Sequence, residues 1–338
     1  MIVKLQRILF GLGAAVVIVD FVWAMIGKFQ IDLLAYAQLG LMSMALLAGG
    51  FYYQTKRAEP ELAAMLMGAS FLCLFSAAAS MLNYFFLTLH GPRIDDILVA
   101  ADRTLGFDWY STMIAMARYP LLNEVFFRVY NMVLPEIALV MVALAWTGQV
   151  EKVYRYCVAL GVGALIAIAL WALAPSLGAK SLYTLPPEVV STLTLSVTGD
   201  YGKALVALLR DGPGYISPSD LRGLIAFPSY HGVLALIVAW YGWHLRWLRW
   251  PLLLLNATVI VSSPIQGGHH MVDLLGSFPV TALALYLATL GETKESSAKL
   301  AVMVNKKQKF KIWPVPQGLL ARVPYNIKKL PPARLSRH

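Results

Sequence analysis

The sequence predicts an all-α polytopic membrane protein of about eight transmembrane helices, and three observations predict it. Of its 338 residues, 59% are hydrophobic and 14% charged, against roughly 45–50% and about 25% in soluble domains. Apolar stretches near the ~20 residues needed to cross a bilayer recur along the chain. Between them the basic clusters fall consistently on one side, as cytoplasmic loops do. This composition excludes a soluble globular protein. A disulfide scaffold or a zinc–cysteine site is a poor reading and ordinary buried thiols the better one, because Cys73 and Cys157 each sit in or beside an apolar segment with no partner at ligand spacing.

The expected spans are 5–26, 34–54, 62–89, 125–147, 156–175, 228–245, 250–264 and 271–290, each bounded by charges, Pro or Gly. Lys4 and Arg7 precede the first, but its apolar run is too long for a signal-peptide core and no small-residue cleavage site follows, so a retained helix is expected. Lys56 and Arg57 follow span two, Lys152 and Arg155 span four, Arg246 and Arg249 span six. Both termini are therefore expected in the cytoplasm. The loops 90–124, 176–227 and 265–270 share the opposite face, and the first, carrying Asp95, Asp96, Asp102, Arg103, Asp108 and Trp109, reads as a short amphipathic interfacial helix.

Three regions follow: two N-terminal transmembrane helices in 1–60, a catalytic membrane domain in 61–291, and a basic cytoplasmic tail in 292–338. The net charge of +10 is a property of that tail, which holds 11 Lys or Arg against 2 Glu. Attraction to anionic inner-leaflet lipid, about 1 kcal/mol per near-surface charge, accounts for it. No fold signature accompanies the charge, so no nucleic-acid partner is expected.

Three of the six histidines cluster on the non-cytoplasmic face. His231 follows Phe227-Pro228-Ser229-Tyr230 at the start of span six; His269 and His270 follow Gly267-Gly268 before span eight, with Asp273 close behind. Both sites fall at helix N-termini, where unpaired N–H groups and the positive dipole end attract phosphate. Pro228 and Ser229 suit a helix start. Asp273 can share a helical face with His269 or orient a histidine from behind. Either way His231 supplies a second imidazole. One histidine attacking phosphorus while another serves as general acid and then base would transfer a phosphoryl group with neither metal nor cofactor. His244 reads as an interface residue, and His90 and His338 carry no site signal.

The Pro-Ser-Tyr-His run at 228–231 and the His-His-Met-Val-Asp run at 269–273 resemble the second and third signature motifs of the type 2 phosphatidic acid phosphatase (PAP2) superfamily. The segment Leu209-Arg210-Asp211-Gly212, with the 227–231 run, further resembles the branch related to inositol phosphorylceramide synthase. The resemblance covers roughly 90–291 and implies a six-helix membrane core. Carried over by motif, it implies His269 as nucleophile forming a phosphohistidine, Asp273 as its activating partner and His231 as general acid. His270 would be an adjacent helper or a spectator, and Ser229 and Gly268 would border the phosphate.

Two departures matter. Lys203 and Arg210 have the first motif's spacing of six intervening residues, but Asp211 stands where that motif has proline. Ser262 and Ser263 occupy the third motif's Ser-Arg positions, so a phosphate-clamping arginine is missing there. Arg210 and Arg222 are the expected substitutes, with Arg118 and Arg128 further candidates.

Asp20, Asn131, Glu136 and Asn256 fall inside expected spans, where they either line a cavity or pair between helices. Glu136 follows Pro135, which suggests a broken helix. A site at the lipid–water boundary implies a lipid phosphate, polyprenyl (di)phosphate or phospholipid donor, with a lipid or polyol hydroxyl as possible acceptor. Head-group transfer is the expected reaction, and hydrolysis of a lipid phosphate is the alternative. A transporter or structural role stands third, since paired internal repeats are lacking.

Overall fold

In a computed structural model, residues 1–27, 29–89 and 91–290 are described; His90, the tail 292–338 with its expected lipid contact, and His338 lie outside them. Thirteen α-helices and one two-stranded sheet make up the described chain. Each expected span coincides with a helix or helix pair. Helices α1 (Ile2–Gly27), α2 (Leu33–Tyr52), α3 (Pro60–Phe85), α8 (Val150–Leu173) and α13 (Met271–Thr289) are long and apolar enough to cross a membrane. A sixth crossing is made if α6 (Pro120–Asn131) and α7 (Val133–Trp146), bent by 47°, form one broken span. The break falls at Met132, three residues before the Pro135 that suggested it.

Helix α11 (Tyr230–Gly242) is apolar but has 13 residues, about 20 Å at 1.5 Å per residue, short of the ~30 Å hydrocarbon core. Helix α12 (Arg249–Gln266) follows it. Trp240, Trp243, Trp247 and Trp250 are exposed around the turn between them, where the Arg246 and Arg249 guanidinium groups stack on Trp247 and Trp243. Aromatic rings and cations in company suit a membrane interface. Together these features make the chain a multi-pass membrane protein.

Helix ends follow local chemistry. Asp32 caps α2, its side chain accepting from the Ala35 N–H at 3.0 Å. Pro60 and Pro120 stand in the first turns of α3 and α6, where a missing N–H costs nothing. Helix α8 forms the centre of the bundle, packing against α1, α3, α11 and α13. Buried Leu, Val, Ala and Tyr side chains from these helices make one continuous core. Helices α1 and α2 join it by packing on α3.

Two outer segments position the site. Residues 90–124 contain two short helices, α4 (Asp95–Thr104) and α5 (Trp109–Met116), instead of one amphipathic helix. Asp95 and Asp102 on α4 face inward and are buried, the reverse of a helix that turns its acids to water. Segment 176–227 holds α9 (Pro187–Thr192), α10 (Gly199–Asp211) and strand β2 (Tyr215–Ile216), which pairs in parallel with β1 (Gln30–Ile31). The Ser217 hydroxyl donates to Asp32 at 2.9 Å beside that pairing. The connection between α1 and α2 thereby ties down the outer loop.

Candidate functional site

The two histidine-bearing turns meet at the starts of α11 and α13. Ser229 is the N-cap of α11, its Oγ accepting from the Gly232 N–H at 3.2 Å. Its own N–H donates to the Asp273 carbonyl at 2.9 Å, joining the two helix starts. His231 sits in the first turn of α11, its ring stacked on Tyr130 with centroids 4.3 Å apart.

His269 is buried, and its protonation pattern follows from its neighbours. Nδ1 lies 3.2 Å from the Ala226 carbonyl and 3.2 Å from Asp273 Oδ2, both acceptors. In the neutral imidazole a nitrogen between two acceptors is the one that carries the proton, and Nε2 then keeps its lone pair. Nε2 faces the Ser229 hydroxyl at 3.3 Å. Asp273 also accepts from the His270 N–H at 2.8 Å and so caps α13 while holding His269. Of the two relations expected for Asp273 the second is the one seen: His269 precedes the N-cap His270, outside the helix, and the carboxylate holds its ring from behind.

His270 points the other way, into α4. Its Nδ1 is 3.2 Å from Asp102 Oδ2 and its Nε2 is 3.9 Å from Asp95 Oδ1. Burial alone would push this imidazole down, but the hydrogen bond to Asp102 and the nearby Asp95 carboxylate carry it up to about 9. Asp102 further accepts from the Met271 and Val272 N–H groups at 3.1 and 3.0 Å. Asp95 accepts from Leu177 and Gly178 at 2.9 and 3.0 Å and pairs with Arg93 at 2.8 Å. Burial opposes its ionisation, yet the facing His270 imidazole and the Arg93 charge hold its carboxyl below the usual range. Helix α4 thus clamps the 176–181 and 267–270 turns together.

This arrangement corrects the expectation of an anion at both helix starts. The free N–H groups at the start of α13 are already taken by Asp102 and Asp273, so that terminus has little left to offer a phosphate.

Removing Asp102 leaves a buried imidazolium without its main partner, so Asp102→Ala should cost about 3–5 kcal/mol. The folded-state pKa of His270 is raised from 6.5 to about 9, so its stabilisation is full below about 6.5 and is lost as pH rises through about 9. Thermal unfolding of the purified protein between pH 6 and 10 checks both: the wild-type midpoint should fall across that window and the variant's should change less.

A cation missing from the expected set stands here. Lys180 Nζ donates to the Gly267 carbonyl at 2.7 Å and lies 5.3 Å from the Tyr201 ring centroid. Burial pushes the Lys180 ammonium down to about 8, against the pull of the Asp273 and Asp95 carboxylates. Gly268 makes room for it: φ is +63°, and a Cβ there would come within 2.6 Å of the lysine side chain. The Arg222 guanidinium lies over the same Tyr201 ring at 5.2 Å. Lys180 and Arg222 therefore flank one aromatic ring beside the histidines.

The other expected cations are elsewhere. Arg210 and Lys203 occupy the exposed side of α10, turned to Asp211 and Asp200, and neither hydrogen-bonds or ion-pairs with the histidine cluster. Arg128 is exposed and paired with Glu124. Ser262 and Ser263 are buried and donate to the Val259 carbonyl within their own helix. His244 is remote, its Nδ1 3.2 Å from the Trp240 carbonyl.

A cavity of about 570 Å³ extends from His231, Tyr230 and Arg222 between α3, α7, α8 and α11. Its remaining wall is mostly Leu, Ile, Phe and Ala. Of the intramembrane polar groups, Asn256 donates to Glu136 at 2.6 Å, a pairing between helices. Asn131 donates to Ser196 at 2.7 Å, and Asp20 is buried without a hydrogen-bond partner. Among the described residues, no group of three or more His, Cys, Asp or Glu is arranged to hold a metal ion.

Two buried histidines paired with aspartates at the start of α13 and a third at the start of α11, beside an apolar cavity within a membrane bundle, fit a membrane enzyme of phosphate-ester chemistry. The chain matches the family model described as the PAP2 superfamily over residues 96–287, more than half its length, and it belongs to that superfamily. Neither curated proteins nor solved structures gave a match. The His–Asp cluster is consistent with a metal-independent lipid phosphatase or transferase working through a phosphohistidine.

Proposed function

We propose that the protein is a lipid phosphate phosphatase of the PAP2 superfamily whose nucleophile is His269. The observation carrying this reading is His269 Nδ1 between two acceptors, 3.2 Å from each, a geometry that in the neutral ring puts the Nε2 lone pair on the side of Ser229. Nε2 attacks phosphorus, a P–N bond forms and the P–O bond to the lipid breaks, while His231, which burial holds neutral in the free protein, relays a proton from the phosphate monoanion to the departing alkoxide. Water then attacks the phosphohistidine, His231 takes the water's proton, and phosphate leaves as the P–N bond breaks. Asp273 holds the Nδ1 proton and stabilises the positive imidazole that forms.

Lys180 and Arg222 supply the charge that binds the phosphate oxygens, and the cavity beside His231 accepts the lipid chain. Ser229 and Gly268 border the phosphate as spacers of the two turns, and His270 braces the nucleophile's loop from behind.

Head-group transfer is the second reading, favoured by the 209–212 and 227–231 segments that resemble the inositol phosphorylceramide synthase branch. The family match is to the superfamily at large, which favours hydrolysis. Purified protein incubated with a panel of lipid phosphates decides between them. Inorganic phosphate should appear stoichiometrically with dephosphorylated lipid, and added alcohols or polyols should not divert it. A phosphorylated acceptor in place of free phosphate would establish transfer. In either case both termini are taken to be cytoplasmic and the site to face the opposite side.

A further inference from the structure

Tyr130 lies between the two imidazoles of the proposed reaction, which assigns it no part. It is 4% exposed, at the end of α6 just before the break at Met132. Its ring is nearly parallel to that of His231, with centroids 4.3 Å apart and planes 14° off. Its hydroxyl end reaches the turn that carries the nucleophile. There a Cβ at Gly267 would stand 2.7 Å from Tyr130 Oη and 2.5 Å from His269 Cδ2, the carbon bonded to the attacking nitrogen. The absence of a side chain at Gly267 leaves the phenol its room. The end of α6 is tied to the same turn: Asn131 Nδ2 donates to Ser196 Oγ at 2.7 Å, and the Ser196 N–H donates at 3.1 Å to Oε1 of Gln266, the residue before Gly267.

The three site histidines differ in what holds them. His269 and His270 are each fixed by a carboxylate at 3.2 Å. Among the described residues neither ring nitrogen of His231 is hydrogen-bonded, and the stack on Tyr130 is the contact that sets its plane. A stack uses the face of the ring, whereas the N–H and the lone pair of a neutral imidazole lie in its plane. His231 is therefore oriented with both nitrogens left for substrate, one to take a proton and one to hand a proton on. A carboxylate partner would occupy one of them.

We propose that Tyr130 is the positioning residue for His231: its ring, and not its hydroxyl, fixes the imidazole plane in which the proton passes from the phosphate to the departing alkoxide. No bond to Tyr130 forms or breaks. It does for the relay what Asp273 does for the nucleophile, through a face contact instead of a hydrogen bond. The inference rests on the phosphatase reading of the preceding section.

The test gives the full-length protein two esters of matched chain in mixed micelles, dodecyl phosphate and para-dodecylphenyl phosphate. The alkoxide leaving from the first needs a proton, whereas the phenoxide leaving from the second departs without one. Measured as kcat/KM, the comparison reports the step in which the P–O bond breaks, so later hydrolysis of the phosphohistidine does not enter. Tyr130→Leu should lower kcat/KM for the alkyl ester by about 10²-fold and for the aryl ester by no more than about threefold. Tyr130→Phe, which keeps the ring, should stay within about threefold of wild type on both. The alkyl-to-aryl ratio within one preparation is insensitive to a misfolded fraction, and Tyr130→Met supplies the same ratio if Leu is not accommodated. An equal loss on both esters, no loss on either, or a Phe variant that behaves as the Leu variant does would each overturn the role of the ring while leaving the phosphatase reading standing. If wild type hydrolyses neither ester, that reading falls, and this inference with it.

Discussion

His269→Ala should yield a folded protein whose turnover is lost by about 10⁴-fold or more, because no other group at the site presents a bare imidazole nitrogen on the Ser229 side. The side chain removed is buried and holds three hydrogen-bond relations, to Ala226, Asp273 and Ser229. Some loss of stability therefore accompanies the change, and His269→Gln serves as the less disruptive companion. His244→Ala, at a ring bonded only within its own helix end, should retain near wild-type activity and serves as the control. Mass spectrometry of protein quenched during turnover should find the phosphoryl group on His269 in the wild type. His231→Ala separates the two imidazoles: it retains the nucleophile but loses the proton donor, so kcat falls most for lipids with the poorest leaving group. Full activity in both His269 variants would remove this residue from the reaction.

Much of this was legible in the sequence, for reasons the bilayer imposes. An apolar stretch near 20 residues long has few alternatives to a helix in lipid, so the positions of α1, α2, α3, α8 and α13 follow from hydrophobicity alone. The pairing of His269 with Asp273 came from the motif resemblance, since the i, i+4 spacing by itself left the bond open. What escaped was set by contacts across the chain. Asp95 and Asp102 stand seven residues apart, two turns of one helix face, a signal that they act together. Sequence could not show that this face turns inward onto His270, 168 residues from Asp102. The long 176–227 loop hid Lys180 in the same way, as its nearness to Gly267 depends on how the loop returns over the bundle. Arg210 and Lys203 drew attention through a spacing that, in the folded chain, only places both on the outer side of α10. Short α11 shows the opposite case: its helix and cap were legible, but its length was overread because apolar residues continue past its end.

Lys180→Met should lower kcat/KM by about 10²- to 10³-fold, the loss typical of removing one fixed donor to a developing phosphate charge. The pH dependence makes the prediction specific. The ammonium titrates at about 8 in the free protein, pushed down by burial despite the Asp273 and Asp95 carboxylates. Only the protonated form binds phosphate, so wild-type kcat/KM should fall as pH rises through about 8, tenfold per pH unit beyond it. Lys180→Met removes that group and should flatten this limb. Lys180→Arg keeps a charge that does not titrate in the range and should carry activity to higher pH, at reduced kcat because the fork must fit beside Gly268. Arg222→Met is the comparison: its guanidinium is exposed over Tyr201, so its loss should raise KM and leave the alkaline limb where it was. A wild-type pH profile in Lys180→Met would move the phosphate clamp to Arg222 and leave Lys180 as a strut that holds the Gly267 carbonyl.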